Sequence, residues 1–203
     1  MSDRKAHWEK VYNNNSPLEV SWYQKDPILS LQLIRDSGIA LDAAMIDVGG
    51  GASVLADYLC EEGYTNIEVL DIASTALAHT KKRLKEKGCE IGWHNVDVVN
   101  FIPPHKYSLW YDRAVFHFLT EKKDREKYVS VLKQALKSGG HLIIMAFTIG
   151  GPLKCSGLEI VQYDAEKLKA ELGESFELVE EGHETHITPA GNKQKFAYFH
   201  FVY

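Results

Sequence analysis

The sequence is poor in cysteine and has no segment that is apolar enough to cross a membrane. Its three cysteines, among 203 residues, are far apart and form no CxxC pair. This pattern argues against a disulfide framework and against a zinc site. The polar start MSDRKAHWEK lacks signal-peptide character, and no apolar run approaches the length of a membrane span. We therefore expect a cytoplasmic protein without a bound metal.

An excess of positive charge is also missing. The chain has 23 basic and 28 acidic residues, for a net charge of −5 and a pI of about 6.0. A general nucleic-acid binder usually has a basic face, so neither a nucleic acid nor a membrane is expected as a partner. The length is that of one domain spanning residues 1–203.

Motifs of several common enzyme classes do not occur. There is no GK[ST] phosphate loop and no G-x-S-x-G elbow of a serine hydrolase. Residues 183–186 (HETH) lie in a predicted strand with their histidines three apart, which differs from the zinc-binding H-E-x-x-H helix. The sequence therefore excludes a phosphate loop and disfavours a serine hydrolase.

Short apolar runs alternate with helical stretches, which favours an α/β fold with a parallel sheet. We predict five strand–helix units, followed by two strands that pair antiparallel because only a Pro/Gly loop joins them. Two helices precede the first strand, so residues 1–40 should form an N-terminal helical cap or lid. The predicted strands are 43–48, 66–70, 90–94, 107–111, 141–147, 176–184 and 195–202, and the predicted helices are 3–12, 26–37, 52–62, 74–87, 123–137 and 164–172.

The strongest site signal is a glycine run after the first predicted strand. Asp47 and Val48 precede Gly49, Gly50 and Gly51. Glycines between a strand and a helix let backbone amides approach a ligand at the positive end of the helix dipole. A tight turn alone would also need glycine, so this loop by itself leaves the two interpretations nearly even.

An acid at the end of the second predicted strand favours a nucleoside site. Asp71 follows the glycine run at about the spacing of ribose-binding acids, although it could simply begin the next helix. A dinucleotide fingerprint that starts at Gly49 would need glycine or alanine at position 54, where this chain has Val54. A dinucleotide-dependent oxidoreductase is therefore disfavoured.

Four segments resemble motifs of the seven-stranded class I S-adenosylmethionine-dependent methyltransferases. Residues 47–51 match the acid–apolar–Gly-x-Gly motif, and Asp71 matches the acid that closes the second strand. Residues 96–98 match the third-strand region. Residues 136–142 resemble the Leu-x-Pro-Gly-Gly stretch, with Ser138 in place of the proline.

The resemblance implies a fold, a cofactor and a set of contacts. The fold is a Rossmann-like α/β sheet of seven strands, mostly parallel, with an antiparallel C-terminal hairpin. The cofactor is S-adenosylmethionine, with Asp71 on its ribose and Asp97 beside its adenine amino group. The cofactor-binding residues expected are Asp47, Gly49, Gly50, Gly51, Asp71, Ile72, Asp97 and Val98, together with the aromatic Trp22 and Tyr23.

A finer resemblance is to the thiopurine methyltransferase-like branch, or methyltransferase type 12 group. Residues 111–114 (YDRA) and 124–128 (DREKY) resemble its Trp-Asp-Arg-Gly segment and the helix behind it. Small lysine methyltransferases share the aspartate. Residues 116–118 and 183–192 depart from the thiopurine pattern.

The end of the fourth predicted strand carries the catalytic candidates Asp112, Arg113 and His117. Methyl transfer depends mainly on alignment, and it needs a base only when the nucleophile arrives protonated. Asp112 could orient an amine or the methionine end of the cofactor, and Arg113 could hold an anionic or planar substrate. His117 could be a base. A salt bridge of Arg113 and a backbone contact of His117 are the structural alternatives.

Aromatic residues near the N-terminus could face the cationic sulfonium. Trp8 and Tyr12 lie four apart, and we favour simple packing on one helical face for Trp8. Trp22 and Tyr23 lie in a predicted loop and are better candidates for a mobile lid. The turn-forming stretch 13–17 should be flexible when the site is empty.

We therefore expect a methyltransferase that acts on a small molecule, because the chain carries no appended recognition domain. A protein lysine methyltransferase of the same fold is the alternative. A non-catalytic nucleoside-binding module is the alternative from another class, but the glycine run with Asp71 and Asp97 argues against a degenerate site. The methylated atom and the oligomeric state are open.

Overall fold

The sheet has seven strands, and its central members are apolar and buried on both faces. The computed structural model describes residues 3–85 and 87–203. The strands are β1 (Met45–Val48), β2 (Ile67–Asp71), β3 (Ile91–Asn95), β4 (Tyr107–Arg113), β5 (Leu136–Phe147), β8 (Glu177–Ile187) and β9 (Lys193–Val202), and β6 (Lys154–Cys155) and β7 (Leu158–Glu159) form a separate hairpin.

The strand order is β3-β2-β1-β4-β5-β9-β8. β1 pairs in parallel with β2 and β4, β2 with β3, and β4 with β5, whereas β9 runs antiparallel to both β5 and β8. The predicted Rossmann-like sheet with its antiparallel C-terminal hairpin is confirmed. The order reverses between β1 and β4, and sheets of this kind bind ligands in the crevice at such a point.

One of the five predicted strand–helix units is wrong. Between β3 and β4 the described chain has only a short 3-10 turn, Val98–Asn100. Pro103 and Pro104 follow this turn, and proline disrupts a helix interior because it lacks the N–H and clashes with the preceding turn. The α-helices are α1 (Asp3–Asn14), α2 (Ile28–Asp36), α3 (Leu55–Glu61), α4 (Ser74–Lys85), α5 (Lys122–Ala135) and α6 (Ala165–Leu172).

Helices cover both faces of the sheet. The apolar residues of α5 and α6 join one buried cluster, and those of α2, α3 and α4 join another. No helix in residues 3–85 and 87–203 is long and apolar enough to cross a membrane. This two-sided packing leaves the carboxyl edge of the parallel strands as the place where loops can build a site.

A buried hydrogen-bond chain ties α5 to β4. The Trp110 indole donates to the Tyr128 hydroxyl at 2.8 Å, and that hydroxyl donates to Asp112 Oδ2 at 2.6 Å. All three side chains are fully buried. Burial raises the pKa of Asp112 to about 6, although Tyr128 and the amides of Val115 and Phe116 act to lower it.

The Tyr128→Phe substitution should destabilise the fold by about 1–3 kcal/mol, because it leaves the buried Trp110 indole without an acceptor and removes one of the hydrogen bonds to the buried Asp112 carboxylate. The raised pKa means that ionising Asp112 costs stability as pH rises from about 4 to 6. Tyr128 offsets part of that cost, so the loss should be larger at pH 7 than near pH 4. Urea unfolding at both pH values measures it. Tyr203→Phe is the control, and equal, small losses in both variants would contradict the prediction.

Candidate active site

A cleft opens at the carboxyl ends of β1, β2 and β4. Its volume is about 770 Å³ including the open mouth, and a smaller cleft adjoins it. Tyr12, Trp22, Gly49 and Arg113 line both clefts, so they form the junction between them.

Most of the predicted site residues meet here. The larger cleft is lined by Trp22, Gly49, Asp71, Ile72, Asp97, Val98 and Arg113, and the smaller one also by Tyr23, Asp47 and Gly50. Gly51, Asp112 and His117 are not among the lining residues of either cleft.

The first glycine of the loop meets the turn after β4. Gly49 has a φ of +75°, which favours glycine. A Cβ at this position would lie 2.1 Å from Val115 Cγ2. The loop after β1 therefore packs directly on the loop after β4, and only glycine allows this approach.

The next two glycines make room for carboxylates. A Cβ on Gly50 would lie 2.2 Å from Asp47 Oδ2, and one on Gly51 would lie 2.4 Å from Asp71 Oδ2. At contacts this short, either the loop or the carboxylate would have to move. Gly51 thus supports the site from behind the cleft wall.

Asp71 ends β2 and joins the glycine loop to the start of α4. Its Oδ2 accepts the Gly51 amide at 3.1 Å, and its Oδ1 accepts the Ala73 amide at 2.7 Å. Burial raises the pKa of Asp71 to about 6, against the lowering effect of these amides. Each oxygen can accept a further hydrogen bond, so the carboxylate can still hold ligand hydroxyls.

Asp47 is the least satisfied carboxylate of the site. It is buried, and its Oδ2 has no hydrogen-bond partner in the described chain. Its pKa is raised to about 7, chiefly by burial and also by the charges of Asp71 and Asp112, while Arg113 acts to lower it. A cationic ligand group beside Asp47 would stabilise its ionised form.

The carboxylate of Asp97 lies at the far end of the cleft and contacts α1. Asp97 caps the 3-10 turn by accepting the Val99 amide at 3.3 Å. Arg4 reaches it at 3.4 Å and also donates to Asp124 Oδ2 at 2.5 Å. Arg4 therefore shares Asp97 with any ligand that approaches it.

A second polar contact holds α1 over the cleft. Glu9 accepts the amides and hydroxyls of Ser74 and Thr75 at 2.7–3.2 Å, at the N-terminus of α4. Burial acts to raise the pKa of Glu9, but these four bonds outweigh it and lower the pKa to about 2. Glu9 thus caps a helix that is distant in sequence.

Aromatic rings form the roof between α1 and the strand ends. Trp8 packs edge-on against Trp22 and Phe118, with ring centroids 5.6 and 5.0 Å apart. The Trp22 indole donates to the Tyr12 hydroxyl at 3.2 Å. The sequence favours simple packing for Trp8, but its side chain also lines the larger cleft with Tyr12 and Trp22.

The segment that carries Trp22 is attached to the strand ends. Arg113 Nη1 donates to the Trp22 carbonyl at 3.0 Å, His186 contacts the Ser21 carbonyl at 2.8 Å, and Gln24 donates to Glu184 at 3.1 Å. Together these bonds link the segment to β4 and β8.

Two of the catalytic candidates lie behind the wall. Both Asp112 and His117 have 0% exposure. Asp112 accepts the amides of Val115 and Phe116 as well as the Tyr128 hydroxyl. His117 stacks on Phe147, and its ring nitrogens have no partner in the described residues. Burial first, and Arg113 second, lower its pKa to about 3, so the ring is poorly suited to accept a proton.

Ala114 lines the larger cleft, and its backbone is strained. Its φ of +66° is unusual for a residue with a side chain, and its amide donates to the Met145 carbonyl at 2.9 Å. The Asp112 bonds to the following amides hold this turn. The motif at the end of β4 therefore shapes the cleft through its backbone.

Several wall residues were not predicted from the sequence. Among them are Arg4, Phe118, Leu119, Cys155 and Phe196, and Glu9 acts from just outside the wall. The four-residue spacing of Trp8 and Tyr12 was a usable signal. Cys155 and Phe196 gave no such sequence signal, because β6 and β9 are far along the sequence from the other strands of the cleft.

Known proteins support the class that the fold and the cleft define, a nucleoside-binding α/β enzyme of the methyltransferase type. Residues 45–140 match the family described as a methyltransferase domain. Human EEF1A lysine methyltransferase 2 is 23% identical over 192 residues, which cover 87% of this chain and 75% of that protein. A ubiquinone/menaquinone biosynthesis C-methyltransferase of Francisella tularensis subsp. novicida is 30% identical over 124 residues, or 58% of this chain and 48% of that protein.

Among solved structures, the N-methyltransferase NodS from Bradyrhizobium japonicum WM9, in complex with S-adenosylhomocysteine, has a TM-score of 0.75. It is 16% identical and covers 98% of both chains. The match to the methyltransferase-domain family over residues 45–140, together with the shared fold, supports a class I S-adenosylmethionine-dependent methyltransferase. The finer resemblance to the thiopurine methyltransferase-like branch stays a prediction.

The Asp71→Ala substitution should weaken binding of S-adenosylhomocysteine by about 1.5–3 kcal/mol, because charge-assisted hydrogen bonds to the ligand are lost. In the unchanged protein, affinity should fall as pH drops through about 6, where Asp71 becomes protonated. Calorimetry at pH 7.5 and pH 5 measures both effects. Asp42→Ala, an exposed site, is the control. Unchanged affinity in Asp71→Ala would contradict the prediction.

The Glu9→Ala substitution should loosen α1, because four hydrogen bonds to the start of α4 are lost. We expect faster proteolytic cleavage within residues 13–25 and weaker binding of S-adenosylhomocysteine, with the ligand slowing cleavage in the unchanged protein. Lys10→Ala, exposed on the same helix, is the matched control. Equal protection of residues 13–25 with and without ligand would show that the segment is a fixed part of the fold.

Proposed function

We propose that this chain transfers the methyl group of S-adenosylmethionine to a small molecule held under α1. The carrying observation is the Asp71 carboxylate, fixed by two amides in the wall of a cleft whose opposite end is aromatic and apolar. The residues fit the donor. Asp71 would hold the ribose, and Ile72, Asp97 and Val98 line the part of the wall that suits an adenine ring.

The methionine end of the donor fits the glycine loop. Gly49 and Gly50 expose backbone there, and the unpartnered Asp47 Oδ2 offers a carboxylate for the ammonium group. Bound S-adenosylmethionine supplies an activated methyl group on a cationic sulfonium. Trp22 and Tyr12, at the junction of the two clefts, would place aromatic faces against that charge, with Tyr23 beside them in the smaller cleft.

The contribution of the protein to the reaction would be alignment and exclusion of water. We propose that residues 1–40 form the cap, with α1 held by Glu9 and Arg4. Asp112 would be a positioning residue that holds the turn at Ala114. His117 would fill the core beneath that turn. Of the three catalytic candidates, Arg113 lines the cleft.

A protein lysine is the second candidate acceptor, because a relative with that activity matches 87% of this chain. The Arg113 guanidinium argues against it. Arg113 lies at the junction of the two clefts, and a positive charge there would disfavour the cationic form in which lysine arrives. A small molecule would also fit under the cap without the opening that a folded protein requires.

The test begins with binding of S-adenosylmethionine and S-adenosylhomocysteine by calorimetry, with NAD as the control ligand. A labelled methyl donor is then offered with extracted small molecules and, separately, with extracted proteins. We expect label in the small-molecule fraction, and loss of it in Asp71→Ala. Label only in protein would favour the lysine candidate. Donor binding without any transfer would favour a nucleoside-binding module, and binding of NAD alone would overturn the proposal.

A further inference from the structure

Two of the three cysteines meet at the edge of the sheet opposite to the cleft. Cys60 lies one residue before the end of α3, and Cys89 lies in the turn that leads into β3. Both are free and half-buried, and both pack against the same apolar cluster. Neither side chain lines either cleft, so the pair stands apart from the site described above.

The two thiols are in direct contact, because the Cys60 thiol forms a hydrogen bond with the Cys89 side chain. Ion pairs hold the surrounding chain together. Lys87 Nζ lies 2.7 Å from Glu61 Oε1 and 3.3 Å from Asp57 Oδ1. These ion pairs independently place the residues before Cys89 beside the end of α3.

The turn before β3 has room for a closer approach of the two sulfurs. A disulfide bond is only about 2.0 Å long, so the thiols must move together before they can join. Gly88 has a φ of +71°, and a Cβ placed on it would meet no atom within 4 Å. The strand pairing of β3 begins at Ile91, so movement of Cys89 breaks no bond of the sheet.

We propose that Cys60 and Cys89 form a reversible disulfide, made and broken by exchange with a small thiol–disulfide pair of the glutathione class. The bond would close the loop 60–89, which contains β2, Asp71 and α4. It would therefore lock the part of the chain that carries a carboxylate of the cleft. This inference does not depend on the acceptor or on the proposed function.

The step is a two-electron exchange. The Cys89 thiolate attacks one sulfur of glutathione disulfide, and the bond between the two glutathione sulfurs breaks as its electron pair leaves on one glutathione thiolate. Cys60 then loses its proton to solvent, and its sulfur attacks the Cys89 sulfur and releases the second glutathione. The two protein thiols are oxidised to a disulfide, and glutathione disulfide is reduced to two thiols.

The order of attack follows from the surroundings of the sulfurs. Burial, together with the contact with Cys89, raises the pKa of the Cys60 thiol to about 12, although Lys87 acts to lower it. The thiolate is the reactive form, and Cys60 is therefore a poor first attacker. Cys89 takes that role, and Cys60 resolves the mixed disulfide.

The bond would stabilise the fold chiefly by restricting the unfolded chain. Arg83 already ties α4 to α3, because it donates to Asp57 at 2.7–2.9 Å and to the Ser53 carbonyl at 2.5 Å. The disulfide adds a second tie at the other end of α3 and leaves the cleft unobstructed. Oxidation should therefore raise stability without changing the binding of the donor.

The test incubates the full chain in glutathione buffers of increasing oxidised fraction, then alkylates free thiols and identifies peptides by mass. We expect one cross-link between the peptides that contain Cys60 and Cys89, reversed by reduced glutathione. Cys60→Ala should stop at a glutathione adduct on Cys89, and Cys89→Ala should react roughly tenfold more slowly. Cys155→Ser is the matched control and should form the same cross-link as the unchanged chain.

Thermal unfolding supplies a second readout. The cross-linked chain should unfold roughly 5–10 °C above the reduced chain, with unchanged affinity for S-adenosylhomocysteine, and Cys60→Ala should show no such rise. A lasting glutathione adduct on the unchanged chain, a cross-link through Cys155 or between two chains, or an unchanged unfolding temperature would overturn the inference. So would a loss of S-adenosylhomocysteine affinity on oxidation. If the reduced chain does not bind S-adenosylhomocysteine either, the proposed function fails, whereas the cross-link and the unfolding temperature still decide this inference.

Discussion

Three buried carboxylates at the ends of adjacent strands are the constraint on which the site depends. Asp71, Asp47 and Asp112 follow one another across β2, β1 and β4, and burial raises the pKa of each to about 6 or 7. Like charges in so small and dry a region repel. Asp71 and Asp112 are held by hydrogen-bond donors, whereas Asp47 Oδ2 has none in the described chain, and the donors to the first two determine the shape of the loops.

The donors come mostly from the backbone. Asp71 takes the amides of Gly51 and Ala73, and Asp112 takes those of Val115 and Phe116 together with the Tyr128 hydroxyl. Amides that turn back toward a strand end pull the loop close to the sheet, which leaves no room for a Cβ at Gly50 or Gly51. The glycine run and the strained Ala114 thus have the same cause, which is that backbone amides must reach the buried carboxylates of Asp71 and Asp112.

The part of the site that would bind the methyl donor could be predicted from the sequence, because it depends on short-range patterns. Residues 47–51 and Asp71 lie within one strand–helix–strand unit, and their spacing reflects the geometry of that unit. The periodicity of apolar residues predicted the sheet for the same reason. The helices predicted from the sequence already leave the segment between β3 and β4 without one, so only the count of five strand–helix units is too high by one.

The burial of Asp112 and His117 could not be read from the sequence in this way. Both follow a strand end, as ligand-binding residues do, but the preference of a side chain for the cleft or the core depends on which partners arrive from α5 and β5. Tyr128 and Phe147 provide those partners. A polar residue at a strand end is a good indicator of a site and a poor indicator of direct contact with a ligand.

The acceptor end is assembled from parts that are far apart in the chain. Trp8 and Trp22 come from the N-terminal cap, Cys155 from β6 and Phe196 from β9, around Arg113 on β4. Contacts of this kind leave no periodic or spaced pattern in the sequence. The two halves can therefore change independently, since loops and edge strands tolerate substitution while the buried carboxylates do not. It follows that the short-range patterns of the sequence indicate the methyl donor, whereas the choice of acceptor depends on the long-range contacts around this end of the cleft.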